Sequence, residues 1–279
     1  MIIDAIIFNN ELDILDVRLH ELDPVVDKFV IVESLKYHGS NRTKASNFRC
    51  HLDVFRPFLS KIEYVLLDRL DPFHAGPNDS WPRENFHRNA IVLGLESYNL
   101  SDNDVVLISD CDEIPRASMV LQYIEEMRYA PRSFTQDLFY YDVNNYLGPW
   151  HGTVGAPYRD VKSLTPQGLR NRRDSWPVIA NGGWHFSYFG GLDRIKAKLE
   201  NFAHACEDSA RLARHWLECG EVPITELLDG GDLFRRPETG RKERRSHDDP
   251  RLPAWLREHI SEFRLFTEDG LRESLCPKI

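Results

Sequence analysis

The chain has 279 residues, with 35 lysines and arginines against 44 aspartates and glutamates, so its formal net charge at pH 7 is −9. This acidic balance argues against general nucleic-acid binding, and 42% hydrophobic residues are enough to exclude global disorder. No apolar run reaches the roughly 18 residues that a membrane-spanning helix needs, and the N-terminal stretch is not typical of a secretion signal. We therefore expect a globular protein with no nucleic-acid partner and no membrane span.

The first 115 residues alternate between strand and helix patterns. Helical spacing of leucines predicts a helix after Asn10, a capping residue, and a second helix is predicted over Arg83–Tyr98. Short β-branched or apolar runs predict buried strands at Ile2–Phe8, Lys28–Val32, Ile62–Leu67 and Val105–Ser109. This alternation indicates an open parallel sheet, whose ligands bind at the carboxyl ends of the strands.

The pattern changes after about residue 133. Phe134–Tyr146 is aromatic and strand-like, Asn181–His185 predicts a sharp turn, and Leu192–His204 has helical spacing. Residues 239–251 are almost all charged or small, which is typical of a mobile surface loop. We expect one mixed α/β domain with a divergent second half.

The most informative local pattern is an acidic cluster after the fourth predicted strand. Asp110 and Asp112 stand two residues apart where the strand ends, so both carboxylates can converge on one cation. Such oxygens suit Mg²⁺ and Mn²⁺, and a bound ion takes up negative charge that develops on a departing diphosphate. The alternative is a plain turn with a helix-capping acid, since so short a motif often occurs by chance.

Two further segments carry side chains that suit a phosphorylated ligand. Residues 81–89 bring a tryptophan, Arg83 and Arg88 to the start of a helix, which supplies a stacking surface and phosphate donors. In the second segment, Gly182 and Gly183 allow a ligand to approach the backbone, and the imidazole of His185 can bind a metal. A solvated helix face and a structural histidine are the alternatives.

Four segments together resemble glycosyltransferase family 17. They match in order and are residues 8–34, 81–95, 105–116 and 182–199. The resemblance implies an inverting transfer from a nucleotide-sugar donor such as UDP-GlcNAc to a glycan or polysaccharide acceptor. It also implies a GT-A-like single domain, in which a Rossmann-like, mostly parallel sheet carries helices on both faces. Residues 1–115 would bind the nucleotide sugar, and residues 116–279, with C-terminal helices, would bind the acceptor.

The resemblance also implies roles for individual side chains. Asp110 and Asp112 would hold Mn²⁺ or Mg²⁺, with His185 as a third ligand. The residues expected to bind the UDP-sugar donor are Asn9, Asn10, Glu11, Glu33, Arg83, Arg88 and Trp184. Apart from the resemblance, we expect the charged segment 235–251 to close over the diphosphate, because the acidic chain has few other cations for it. A solvated loop is the alternative.

An inverting transfer also needs a base that accepts the proton of the acceptor hydroxyl. Asp110 and Asp112 are excluded from this role if they bind the metal, because the cation lowers their basicity. Asp193, eight residues after His185 and near a helix start, is the predicted base. Glu113 and Glu207 are the fallback candidates, while an acid in a first helical turn is also favoured by the helix dipole alone.

The chain begins at its first predicted strand and has five cysteines without a CxxC pair. We therefore expect a cytoplasmic enzyme with reduced thiols, which acts in the assembly of a surface polysaccharide.

Two other functions remain open at this point. In a phosphotransferase of the haloacid-dehalogenase type, Asp110 would be the nucleophile and Asp112 the acid/base, with Asp229 and Asp232 as a downstream acidic pair. A glycan-binding module could instead use aromatic side chains such as Tyr140, Tyr141, Tyr146, Trp150 and Trp184.

Overall fold

A nine-stranded sheet runs through the part of the chain that the computed structural model describes. The described residues are 1–38, 42–68, 81–201, 211, 213, 215, 218–219, 224–233 and 240–275. The strands are β1 (Ile2–Phe8), β2 (Lys28–Ser34), β3 (Ile62–Leu67), β4 (Val105–Asp110), β5 (Glu113–Pro115), β6 (Arg132–Tyr140), β7 (Asn145–Pro157), β8 (Val178–Ser187) and β9 (Glu243–Arg244).

Helices connect and flank these strands. The α-helices among the described residues are α1 (Leu12–Leu22), α2 (Asn47–Cys50), α3 (Trp81–Asn89), α4 (Ile91–Leu95), α5 (Ala117–Gln122), α6 (Ile124–Tyr129), α7 (Tyr158–Leu164), α8 (Pro166–Asn171), α9 (Gly191–Asn201), α10 (Ile224–Leu228), α11 (Ala254–Glu258) and α12 (Glu268–Leu275). Short 3₁₀ turns lie at Arg56–Lys61, Arg173–Ser175 and Arg264–Phe266.

The order of the strands is β3-β2-β1-β4-β7-β6-β8-β5, and β9 pairs with the outer part of β7. The first four strands are parallel neighbours, β7 runs antiparallel to β4, and β8 is parallel to β6. The predicted α/β class with a largely parallel sheet is therefore confirmed. The four predicted strands of the first half appear within one or two residues of their expected bounds.

Both faces of the parallel strands are buried. On one face Ile6 and Phe8 pack with Leu15 of α1, while on the other face Ile3 and Val30 pack with helix α4. Side chains alternate between the two faces of a strand, so the continuous apolar runs require cover on both sides. The prediction of helices on both faces is thus also confirmed.

Two predictions for the second half are wrong. Asn181–His185 is not a turn but lies inside β8, which pairs with β6 and β5. Gly183 has a φ of +140°, and a Cβ there would stand 2.0 Å from the carbonyl oxygen of Ile114. The glycine therefore allows close approach of the β5 backbone rather than of a ligand.

The charged stretch predicted as a mobile loop is held in place over residues 240–251. Arg244 in β9 pairs with Asn145 of β7. Arg245 is buried, with its guanidinium carbon 3.5 Å from the ring centre of Tyr146 and one nitrogen 2.6 Å from the carboxylate of Asp137. Cation–π and ion-pair contacts thus fix this part of the segment. Residues 235–239, which belong to the predicted closing segment, lie outside the described residues.

Arg18 of α1 joins the start of the sheet to residues 110–113, which form the acidic turn at the end of β4. Its side chain is fully buried and donates two hydrogen bonds to the carboxylate of Asp4, at 2.6 and 2.7 Å. The same guanidinium donates to the carbonyl oxygens of Asp110, Cys111 and Glu113 at 3.2, 3.3 and 2.7 Å. One side chain therefore fixes the backbone of the turn that carries both predicted metal ligands.

Replacement of Arg18 by methionine should strongly destabilise the protein. The carboxylate of Asp4 would stay buried without its partner, so we expect a loss of about 3–5 kcal/mol in the free energy of unfolding. Urea denaturation measures this loss. Arg56→Met is the matched control, because Arg56 forms an exposed ion pair with Asp53 and should contribute at most about 1 kcal/mol. Similar small losses in the two variants would contradict the structural role of Arg18.

Candidate active site

A cavity of about 560 Å³ lies at the carboxyl ends of β1 and β4, facing β8 and α9. This is the edge of the sheet at which open α/β folds bind ligands. Seven of the predicted site residues line it, namely Asn9, Asn10, Glu11, Arg88, Asp110, Asp112 and His185.

Three residues predicted to bind the donor do not line the cavity. Glu33 is buried, and its carboxylate accepts hydrogen bonds from the hydroxyls of Ser46 and Tyr64, so it fixes the segment after β2. Arg83 is buried too and donates to the carbonyl oxygen of His38 at 3.1 Å. The indole nitrogen of Trp184 donates to a backbone carbonyl at 2.8 Å. All three side chains therefore bind other parts of the protein rather than face the cavity.

Neither of the described base candidates faces the cavity. Asp193 is exposed in the first turn of α9, and it precedes the cavity-lining Lys198 by five residues, which is about 140° around a helix. Glu113 is buried under the acidic turn. Its carboxylate accepts hydrogen bonds from the indole of Trp150 at 2.8 Å and from Arg170, so it is engaged by the fold. Glu207 lies outside the described residues.

The two aspartates of the acidic turn have different partners. One oxygen of Asp110 lies 2.6 Å from Arg88, and the other lies 3.1 Å from Arg170. Burial raises the pKa of Asp110, but the guanidinium groups of Arg88 and Arg170 outweigh it and hold the pKa well below its usual range. Since both arginines are themselves buried, Asp110 is the centre of a fixed ion cluster.

Asp112 faces groups that are easier to displace. Its Oδ2 lies 2.7 Å from the ammonium of Lys198, and its Oδ1 lies 3.6 Å from Nε2 of His185. Burial raises the pKa of this carboxyl, but Lys198 and His185 together hold it below its usual range. Nδ1 of His185 is buried and has no hydrogen-bond partner within the described part of the chain. The imidazole is therefore incompletely satisfied by the protein.

Three cationic residues of the site were missed by the sequence analysis. Arg170 and Lys198 contact the acidic turn, and Arg173 places its guanidinium 5.1 Å from the ring centre of Trp150 at the cavity wall. Among the described residues Arg173 has no hydrogen bond or ion pair. The lysine at 198 falls in a predicted helix, but helical spacing alone does not tell which side faces a ligand.

A comparison with protein families decides the classification. The family described as glycosyltransferase family 17 matches residues 1–236. The chain belongs to glycosyltransferase family 17. The resemblance predicted from four sequence segments is thereby confirmed.

Two curated relatives are family 17 enzymes of mammals. The β-1,4-mannosyl-glycoprotein 4-β-N-acetylglucosaminyltransferases of Rattus norvegicus and Homo sapiens are each 38% identical to this chain over 124 residues, or 43% of its length. The matched part is only 22% of the rat enzyme and 23% of the human one. The chain is thus similar to a limited portion of N-acetylglucosaminyltransferases.

Two enzymes are among the solved structures to which this chain is similar. Glucosyl-3-phosphoglycerate synthase from Mycobacterium tuberculosis, in complex with Mn²⁺, UDP-glucose and glycerol 3-phosphate, is 14% identical, with 79% of this chain and 80% of that chain covered and a TM-score of 0.39. The 4-diphosphocytidyl-2C-methyl-D-erythritol synthase from Anaerococcus prevotii is 11% identical, over 64% of this chain and 88% of that chain, with a TM-score of 0.37. Among the described residues of this family 17 member, no helix is long and apolar enough to cross a membrane.

Two neutral histidines form the wall of the cavity near α3. Nε2 of His87 lies 2.9 Å from the carbonyl oxygen of Val32, which requires a proton on that nitrogen. Nδ1 of His87 then accepts a hydrogen bond from Nε2 of His38, at 3.0 Å. Burial, with the nearby charge of Arg88, lowers the pKa of His38 to about 4, and burial also lowers the pKa of His87.

This family 17 protein should therefore lose stability as the pH falls from about 6.5 to about 4. In this window the unfolded chain binds protons at His38 and His87 while the folded chain does not, so unfolding becomes more favourable. The urea midpoint, measured between pH 7 and pH 5, should fall, and His38→Gln should flatten the fall. His51→Gln is the control, since His51 is exposed. An equally steep fall in His38→Gln would contradict the assignment.

Proposed function

We propose that this protein transfers a sugar, with inversion, from a UDP-sugar to a hydroxyl group of a glycan or polysaccharide. The observation that carries the proposal is one cavity that combines the polar end of β1 with the acidic turn after β4. Such a cavity has both a nucleotide-facing edge and a charged end for a diphosphate. GlcNAc is the sugar proposed, because the similar mammalian enzymes are N-acetylglucosaminyltransferases.

The nucleotide is assigned to the loop after β1. Oε2 of Glu11 accepts hydrogen bonds from the backbone amides of Asn9 and Asn10, at 3.0 and 2.9 Å. Within the described residues its Oε1 has no hydrogen-bond partner, so this oxygen can accept a hydroxyl of the ribose. Asn9 and Asn10 supply amide groups that suit the edge of a uracil base.

A divalent cation fits one half of the acidic turn. Asp112 and His185 are the residues that would hold Mn²⁺ or Mg²⁺, because a carboxylate and an imidazole suit Mn²⁺ and Nε2 of His185 is the ring nitrogen that faces Asp112. The 3.6 Å between the two side chains is longer than a close hydrogen bond and leaves room for both to bind one ion. Asp110 was predicted as a ligand, but two arginines engage its oxygens, so we assign it to the fixed ion cluster.

Two protein ligands are enough for such an ion. The described residues contain no group of three histidine, cysteine, aspartate or glutamate side chains around one point. Mg²⁺ and similar ions are commonly held by one or two carboxylates, with substrate phosphates and water in the other positions. When bound, the ion would neutralise the charge that develops on the departing diphosphate.

Side chains of the second half complete the proposed donor site. Arg173 can donate to a phosphate oxygen, since its guanidinium lies at the cavity wall and is held only by its contact with Trp150 among the described residues. Tyr140 and Tyr188, whose ring centres are 5.3 Å apart, provide an aromatic wall for a sugar ring. These residues take the role that the sequence analysis gave to segment 235–251.

The proton acceptor is constrained by the same contacts. Acidic side chains that line the cavity are Glu11, Glu84, Asp110 and Asp112. Glu84 is paired with Arg88, at 2.9 Å, and both aspartates have the partners described above. Among the described carboxylates of the cavity, Glu11 is thus the one without a cation at ion-pair distance. We therefore propose Glu11 ahead of Asp193 as the proton acceptor, and Glu11→Gln is the variant that tests it. A base role lowers turnover, whereas a ribose contact raises the donor Michaelis constant.

The phosphotransferase alternative is not favoured. A nucleophilic aspartate needs a free oxygen that can attack phosphorus, and two buried arginines engage the oxygens of Asp110. Asp229 is exposed and Asp232 is buried, and neither is among the described residues that line the cavity. A purely glycan-binding role does not account for the ion cluster beneath the aromatic wall.

Binding of UDP is the direct test of the donor site. Calorimetry with UDP and Mn²⁺ should detect binding, and hydrolysis of UDP-GlcNAc should be detectable even without an acceptor. Arg173→Met should weaken UDP binding about tenfold or more, because a hydrogen bond to a charged group contributes about 1.5–3 kcal/mol. Arg172→Met is the matched control, since the neighbouring Arg172 is exposed and does not line the cavity.

Unchanged UDP affinity in Arg173→Met would remove Arg173 from the donor site. A wild-type protein that binds neither UDP nor any other nucleoside diphosphate would contradict the proposed function as a whole.

A further inference from the structure

We propose that Lys198 occupies the cation position on Asp112 while the metal is absent, so that the ammonium group and the divalent ion compete for one carboxylate. The inference rests on the proposed function, since it concerns the cation of the same site. Lys198 was not singled out by the family resemblance. Its ion pair with Asp112 would be replaced when a divalent ion binds, and so would not be a permanent contact.

The contacts of Lys198 are those of a counter-ion at the cavity wall. Its Nζ lies 2.7 Å from Oδ2 of Asp112 and 5.0 Å from the ring centre of Tyr188. Asp112 is only 6% exposed, and a carboxylate so deeply buried is costly to leave without a positive partner. Lys198 therefore supplies the positive partner of Asp112 when no metal ion is bound.

The two aspartates of the turn differ in how firmly their partners are held. Arg88 and Arg170 are planar guanidinium groups with further partners, Glu84 and Glu113 respectively, and both are buried. Lys198 is a point charge on a flexible stem, and 26% of its side chain is exposed. An incoming ion can thus displace Lys198 from Asp112 more easily than it can displace either arginine from Asp110.

A displaced Lys198 would keep a partner once the donor is bound. The side chain lines the same cavity as Arg173 and Asn10, so a diphosphate placed there gives the ammonium group an alternative anion. In the absence of a diphosphate this compensation is missing, and the ion must remove Lys198 from Asp112 without it. Competition should therefore weaken cation binding most when no nucleotide is present.

Direct titration of Mn²⁺ tests the competition without any measurement of transfer. Electron paramagnetic resonance measures free Mn²⁺. Without nucleotide, Lys198→Met should bind the ion at least about tenfold more tightly than wild type, because the competing ammonium group is removed; tenfold corresponds to about 1.4 kcal/mol of binding free energy. Lys196→Met is the matched control, because Lys196 lies on the same helix and does not line the cavity. It should bind Mn²⁺ like the wild type, and Asp112→Asn should abolish tight binding in both backgrounds.

Thermal unfolding with and without Mn²⁺ provides a second measurement. Lys198→Met should be less stable than wild type without the ion, since Asp112 loses its partner, and Mn²⁺ should raise its unfolding midpoint by more than it raises the wild-type midpoint. If the methionine variant does not fold, Lys198→Gln gives the same comparison with a polar side chain.

Equal Mn²⁺ affinity in wild type and Lys198→Met would overturn the competition but leave the donor site intact, provided that UDP still binds. If neither protein binds Mn²⁺ even with UDP present, the cation site and the competition both fall, and UDP binding without metal shows separately whether the donor pocket stands.

Discussion

The buried guanidinium of Arg18 is the contact on which the arrangement of the site depends. It joins Asp4 in the first strand to three carbonyl oxygens of residues 110–113, and its side chain is fully buried. Without this contact the buried carboxylate of Asp4 would lose its cation and the turn would lose a donor to its carbonyl oxygens, which is costly. The positions of Asp110 and Asp112 are therefore set by a residue almost a hundred positions earlier in the chain.

The turn held in this way gives two neighbouring aspartates different surroundings. Asp110 points to a buried cluster of arginines and acids, whereas Asp112 faces a lysine and a histidine at the cavity wall. Environment rather than residue type separates their roles, as it does for paired carboxylates in many enzymes. Each of these two aspartates thus has a positive partner within the protein.

The sequence predicted the parts of this molecule that follow from local pattern. Continuous apolar runs predicted the strands of the first half, and the position of Asp110 and Asp112 after one of them pointed to the edge of the sheet at which the cavity lies. Asn9, Asn10 and Glu11, which follow β1, line the same cavity. In each case the information lies within ten residues of the position that was predicted, which is the range over which periodicity is informative.

Contacts between distant residues could not be predicted in this way. Lys198 pairs with Asp112 across 86 positions, and Arg170 reaches Asp110 across 60. Glu33 and Trp184 matched the family pattern but are enclosed by the fold, because a motif residue can be needed to shape a site that it does not touch. The charged stretch after residue 239 resembled a free loop, but Arg245 found an aromatic and an acidic partner on β6 and β7. Such pairings depend on tertiary packing and leave no periodic pattern.

The central claim, that the acidic turn has one fixed aspartate and one exchangeable aspartate, is tested most directly by a crystal structure with UDP and Mn²⁺, with the ion located by its anomalous scattering. The account predicts an anomalous peak between Asp112 and His185, with Lys198 moved from Asp112 and with Asp110 still paired to Arg88 and Arg170. A peak on Asp110, with either arginine displaced from it, would contradict the account.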